Sequence, residues 1–250
     1  MTKKENPRRF GLLGKNIEYS FSRNFFSTKF STQNLVNHSY ANFDLPFLEG
    51  FKEMLNNEPH LCGLNVTIPY KKKVIPFLDR ISEESKAIGA VNTIVWDNEG
   101  KTVGHNTDHL GFKKALTEKI EFIPKKALIL GTGGASSAVQ YALKSLNCKA
   151  TIVSRTAKPN HLTYDELDNK VISNTQLIVN TTPLGTFPNI NQAPSIPYKF
   201  LNSKHFLFDL IYNPSETLFM KKAKDQGSQT TNGYQMLVYQ AEKSWELWNE

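Results

Sequence analysis

No stretch of the sequence approaches about 18 uninterrupted apolar residues, the length a membrane-crossing helix needs, so no membrane span is expected. Cysteine is scarce: Cys62 and Cys148 are the only two in 250 residues. Two are too few for a disulfide scaffold, and neither has the paired spacing of a zinc site. No metal is expected, and both cysteines read as reduced thiols in or near a core. The opening "MTKKENPRRF" is basic but leads into only a few apolar residues. It lacks the apolar core and the small-residue cleavage site of a signal peptide, and the expectation is a cytoplasmic protein. The net charge of +7 comes without a basic helix or an aromatic-interleaved basic stripe. Nucleic acid is therefore not an expected partner. An electropositive cleft for an acidic small molecule or a phosphate-bearing cofactor accounts for the same charge.

What is present is an alternation of strands and helices. "RFGLLG", "HSYANFDL" and "CGLNVTI" read as strands, while "NFFSTKFSTQNL" and "PFLEGFKEML" have helical spacing. "IPFLDRISEESKAIGAV" reads as one helix turning at Gly89 into the strand "AVNTIVWD", with a hairpin through "DNEGK". In the second half, "KKALIL", "KATIVSR", "LIVNTTPLG" and "HFLFDLIYNP" carry short apolar runs without alternation, as expected of strands buried on both faces of a parallel sheet. "GYQMLVYQAEKSWELW" reads as one amphipathic helix. The fold class expected is α/β, divided near Thr102–His105 into two domains.

"LGTGGASSA" sets Gly131, Gly133 and Gly134 between a buried strand and a helix. Such a turn lets backbone N–H groups approach a pyrophosphate while the helix N-terminus supplies partial positive charge. The third glycine of the usual G-x-G-x-x-G is Ser136, so the strand–turn–helix context carries the reading more than the glycines do. NAD binders usually place an acid at the end of the next strand to accept from the ribose 2′-hydroxyl. Here that stretch is "IVSRTAKP", with Ser154, Arg155, Thr156 and Lys158 and no acid. Cations suit a 2′-phosphate, and NADP is favoured.

Four short motifs in the first half gather polar residues at the ends of apolar runs. "EYSFSRN" offers Ser20 and Ser22 at i and i+2, so that both face one way in an extended segment. "NVTIPYK" offers Asn65, Thr67 and then Lys71; "AVNTI" offers Asn92; "GHNTDHLGF" offers Asn106, Thr107 and Asp108 just before a helix. Each alone also reads as a turn former, an N-cap or a polar strand edge. Together they supply neutral donors and acceptors, one cation and one anion, suited to holding a polyhydroxylated molecule and moving a proton. Lys72 and Lys73 read as solvated surface.

In order and content the motifs "SFS", "NVTIPYK", "AVNT", "GHNTDHLG", "GTGGA", "NTTPLG", "DLIYNPSET" and "GYQMLVYQ" resemble the shikimate dehydrogenase family over nearly the whole length. The resemblance implies an N-terminal α/β substrate-binding and catalytic domain over residues 1–103, joined by the C-terminal helix 234–250. A Rossmann-type NADP-binding domain would span 104–233. It implies NADPH-dependent reduction of 3-dehydroshikimate to shikimate in chorismate and aromatic amino acid biosynthesis. Ser20, Ser22, Asn65, Thr67, Asn92, Tyr212 and Gln240 would bind substrate, with Lys71 and Asp108 as the catalytic pair. Gly131, Gly133, Gly134 and Ala135 would line the pyrophosphate, and Ser154, Arg155, Thr156 and Lys158 would stand near the 2′-phosphate. Thr181, Thr182 and Gly233 would complete the cofactor site. The chain departs from the family pattern at Arg23, Phe26-Ser27, Ser154 and Thr186.

Hydride addition to a ketone leaves an alkoxide, which a lysine ammonium can stabilise and protonate. An aspartate beside the lysine raises its pKa while desolvation lowers it, so the sequence leaves open which group carries the proton. The alternatives are an NAD-using quinate or shikimate dehydrogenase, which the missing acid disfavours, and a shikimate-binding sensor, which the retained Lys71 and Asp108 disfavour. Monomer and homodimer both remain open.

Overall fold

The computed structural model describes residues 6–18 and 20–250, so the first five residues of the basic opening and Tyr19 lie outside the described residues. The chain forms two compact units. One comprises the described part of Met1–Thr107 together with Gln240–Glu250, the other Asp108–Tyr239.

The first unit is built on a mixed six-stranded sheet. Its strands are β1 (Arg8–Gly14), β2 (His38–Asp44), β3 (Leu61–Val66), β4 (Arg80–Ile81), β5 (Thr93–Trp96) and β6 (Thr102–His105), in the spatial order β2-β1-β3-β5-β6-β4. β1 runs parallel to both β2 and β3, and five consecutive residues of it are buried, as a central strand requires. Helix α1 (Phe21–Thr32) buries Phe26 and Phe30 one turn apart. They join Phe10, Tyr40 and Trp248 in an aromatic cluster, with the Phe10 and Trp248 rings 4.9 Å apart. Gly63 leaves the room that Trp248 fills, because a Cβ there would lie 2.3 Å from its indole nitrogen. "PFLEGFKEML" divides into a 3-10 turn and the short α2 (Phe51–Asn56). β5 and β6 form the expected hairpin, its loop held by Asp97 Oδ1, which accepts from the N–H groups of Glu99 and Lys101.

The single helix expected over Ile75–Val91 does not form. A 3-10 turn at Ile75–Phe77 gives way to β4, and only α3 (Glu83–Ile88) is helical. Two competing interactions interrupt the periodic pattern. The Asp79 carboxylate accepts from the backbone and hydroxyl of Thr102, drawing the chain onto β6, and Ser82 then caps α3.

The second unit is a parallel six-stranded sheet with helices on both faces. It is formed by α4 (Asp108–Thr117), β7 (Lys126–Leu130), α5 (Gly134–Ser145), β8 (Lys149–Ser154), β9 (His161–Thr163), α6 (Asn169–Ser173), β10 (Leu177–Asn180), β11 (Phe206–Asp209), α7 (Leu218–Lys224) and β12 (Gln229–Thr231). The strand order is β12-β11-β10-β7-β8-β9. The chain therefore starts in the middle, winds outward through β8 and β9, and returns to the other side of β7. The switch point between β7 and β10 is where sheets of this kind hold ligands, beyond the carboxyl ends of the strands. Ala127, Ile129, Val179 and Phe208 pack against α4 and α5, while Leu128, Leu130, Ile178 and Leu207 face Ile172 of α6 and Phe219 of α7. Burial on both faces explains the continuous apolar runs. Helix α8 (Tyr234–Leu247) contributes to both units, which divide between Tyr239 and Gln240. Among the described residues no helix is long and apolar enough to cross a membrane.

Candidate active site

In the first unit three of the expected site residues, Asn65, Asn92 and Gln240, converge on one buried network. Asn65 Nδ2 donates to the Ser244 hydroxyl at 3.0 Å, and its Oδ1 accepts from Tyr40 at 2.9 Å. Asn92 Oδ1 accepts from the Thr107 backbone at 2.7 Å, while its Nδ2 donates to Thr107 Oγ1 and to Gln240 Oε1. The Ser244 hydroxyl lies 2.8 Å from Thr93 Oγ1 and donates to the Gln240 carbonyl. Asn65, Asn92 and Gln240 are thus brought together, and Thr93, Thr107 and Ser244 share their network. Sequence reading singled out neither Tyr40, Thr93 nor Ser244 as site residues. The signal for Ser244 is its spacing: four residues after Gln240, it lies on the same face of α8. Burial drives the Tyr40 hydroxyl pKa far above its ordinary range, against a lowering contribution from the hydrogen bond with Ser22, so this phenol stays neutral.

Ser20 and Ser22 do not lie in an extended segment. Ser20 is the N-cap of α1, accepting from Arg23 N at 3.2 Å, and Ser22 is already in the first helical turn. Capping competes with strand geometry here and wins, which still leaves both hydroxyls at one helix end.

Lys71 sits in a tight turn after β3. Tyr70 N–H donates to the Thr67 carbonyl and Val74 N–H to the Tyr70 carbonyl, both at 2.8 Å. Tyr70 and Val74 are buried, which pins the turn on either side of the lysines. Lys71 is consequently half-buried, whereas Lys72 and Lys73 are exposed. The Lys71 carbonyl accepts from Val91 N–H, tethering it next to Asn92. Asp108 and Tyr212 belong to the second unit, where Asp108 is buried at the start of α4 and burial raises the Tyr212 pKa.

The second unit presents the glycine turn at the carboxyl end of β7. Gly131 has φ +115°, and a Cβ there would lie 2.8 Å from Thr181 Oγ1. Gly133 caps α5 without a side-chain hydrogen bond, and a Cβ on it would meet nothing within 4 Å. The space beside Gly133 at the start of α5 is therefore open, and a helix N-terminus with such room can take a pyrophosphate. Gly134 and Ala135 form the first turn of α5. Ser136, in the place of the third glycine, is buried and donates to the Gly131 carbonyl at 2.7 Å, closing the turn. At the end of β8 the Ser154 hydroxyl turns inward to the Thr156 carbonyl at 2.6 Å. That bend leaves Arg155, Thr156 and Lys158 exposed beyond the strand. Thr181 and Thr182 follow β10, and Gly233 packs so closely on Leu210 that a Cβ would lie 2.1 Å from its carbonyl oxygen. An uncapped helix N-terminus, an open glycine and cations in place of an acid fit a phosphorylated dinucleotide. Two hollows of about 540 and 430 Å³ lie at the opposite, amino-terminal strand ends and share no residue with this turn.

Residues 12–94 match the family model described as the shikimate dehydrogenase substrate binding domain. A shikimate dehydrogenase (NADP(+)) of Desulforamulus reducens is 38% identical over 95% of this chain and 88% of its own. The chain belongs to the shikimate dehydrogenase (NADP(+)) family. It is thereby an oxidoreductase, and its two-domain α/β architecture is the one expected from the sequence. The family's shikimate 5-dehydrogenase from Thermus thermophilus, solved with NADP(H) and shikimate, is 30% identical with a TM-score of 0.85, covering 96% of this chain and 93% of that one. The Listeria monocytogenes member, solved with shikimate and NAD, is 26% identical with a TM-score of 0.80, covering 100% and 94%.

Proposed function

We propose that this enzyme reversibly reduces 3-dehydroshikimate to shikimate with NADPH, in chorismate and aromatic amino acid biosynthesis. The observation that carries it is the match along 95% of the chain to a shikimate dehydrogenase (NADP(+)), 38% identical to it. The α5 N-terminus with Gly131, Gly133, Gly134 and Ala135 would hold the pyrophosphate. Arg155, Thr156 and Lys158 would take the 2′-phosphate, and Thr181, Thr182 and Gly233 would flank the rest of the cofactor. NADPH, when bound, supplies the hydride. Ser20, Ser22, Asn65, Thr67, Asn92, Tyr212 and Gln240 would bind the hydroxyls and carboxylate of the substrate. Lys71 would hold its ammonium against the ketone oxygen, stabilise negative charge there and give up a proton, work worth about 10²–10⁴-fold in rate. Asp108 would orient that ammonium and accept from a substrate hydroxyl.

A spectrophotometric assay at about 340 nm with shikimate, comparing NADP with NAD, tests the reading. Shikimate-dependent reduction of NADP, faster than that of NAD, is expected. No turnover of shikimate, or quinate turnover that dominates with NAD, would overturn it. The cofactor preference is assigned to Arg155: Arg155→Ala should lower kcat/KM for NADPH more than for NADH, and equal losses would remove that assignment.

A further inference from the structure

At the carboxyl end of β11 the Asp209 carboxylate is completely buried and lies among donors alone. Its Oδ1 accepts from Asn180 Nδ2 at 3.0 Å and from Ile211 N–H at 3.1 Å; its Oδ2 accepts from the Thr217 hydroxyl at 2.6 Å. Asn180 ends β10, and its Oδ1 accepts from both the N–H and the hydroxyl of Thr182, at 3.0 and 2.7 Å. Thr181, between them, donates to the Leu130 carbonyl at 2.7 Å and stands against Gly131 of the glycine turn.

A side-chain amide can flip, exchanging donor for acceptor; a carboxylate only accepts. Facing Asp209, Asn180 must point its NH₂ inward and its oxygen at Thr182. Burial raises the Asp209 pKa to about 6, against three hydrogen bonds that lower it. The desolvation cost of this buried carboxylate is met by the three donors it satisfies, which an apolar side chain would leave without a partner. The geometry points to Asp209 as a positioning residue for the dinucleotide, acting through Asn180 to fix the Thr181–Thr182 loop against the glycine turn. This inference rests on the proposed NADP(H) site of the same unit.

The test is a double-mutant cycle on the full chain, with NADPH affinity read by fluorescence titration. Asp209→Asn conserves shape, so the fold is expected to survive, with a native far-UV spectrum as the check. Asp209→Asn and Asn180→Ala should each raise the Kd for NADPH about tenfold, with KM for shikimate unchanged. The double variant should lose no more than the weaker-binding single, because both changes break the same relay. Losses that multiply in the double variant, a matching rise in the KM for shikimate, or NADPH affinity unchanged in the singles would each overturn the inference. Failure of the wild-type protein to bind NADPH would instead overturn the proposed function, and this inference with it.

Discussion

Three adjacent lysines, chemically identical, occupy three different situations because of what lies on either side of them. Tyr70 and Val74 are buried, and of the three lysines only Lys71 is half-buried. Its half-buried position limits solvation, and its carbonyl is tied to Val91, next to the Asn92 network. Lys71→Ala is therefore expected to lower kcat by about 10²–10⁴-fold while shikimate still binds measurably. Lys72→Ala and Lys73→Ala should stay within about twofold of wild type, as for exposed surface residues. Steady-state kinetics on the three variants checks this, and wild-type-like kcat in Lys71→Ala would end its catalytic assignment. The distinction was legible in the sequence because Pro69 stops the strand and Lys71 is the first lysine past it. Ser20 and Ser22 show the limit at this scale. Their i, i+2 spacing suits a strand as well as a helix start, and only the hydrogen bond from Arg23 N to Ser20 decides between them.

At the scale of elements, legibility followed burial and periodicity. The parallel strands β7, β8, β10 and β11 offer mostly apolar residues to both faces, with polar residues confined largely to their ends, so their runs could be read directly. α8 declares itself by an apolar stripe. β4, β9 and β12 are two or three residues long and have no period to detect. β4 exists because Asp79 finds Thr102, a partner more than twenty residues away that no local pattern announces. The polar network around Asn65 and Asn92 was half legible: its asparagines stood in motifs, whereas Thr93 and Ser244 become members only once strand and helix are packed. The glycine turn is the element whose two halves separate structure from function. Gly131→Ala meets Thr181 at a left-handed φ and should cost about 1–3 kcal/mol of stability. Gly133 is in an extended conformation with open space before it, so Gly133→Ala should leave the unfolding midpoint unchanged or slightly raised. NADPH affinity should nevertheless fall in Gly133→Ala, since the new methyl group occupies the approach to the α5 N-terminus. Thermal unfolding and NADPH titration of the two variants check the pair. A stable, tightly binding Gly133→Ala would remove the pyrophosphate from this turn.

Across the whole molecule the charge is unevenly divided. Asp108–Tyr239 carries fifteen lysines and arginines against nine aspartates and glutamates, a net of +6; the rest of the chain has fifteen against fourteen, a net of +1. Of the formal +7, nearly all belongs to the unit that presents the glycine turn. A field of that sign raises the local concentration of a multiply charged phosphate ligand, and mobile ions screen it over about 8 Å at physiological ionic strength. The proposed substrate differs in charge from the cofactor: shikimate carries a single carboxylate, and the first unit, which supplies most of its proposed ligands, is almost neutral. The two ligands should consequently respond differently to salt. Between roughly 50 and 300 mM sodium chloride, over which the screening length falls by more than half, the Kd for NADPH should rise several-fold. The Kd for shikimate should change by less than about twofold. Titration of each ligand across that range decides it. Equal salt dependence of the two would mean that local contacts at each site set affinity and that the imbalance between the units has no part in cofactor capture.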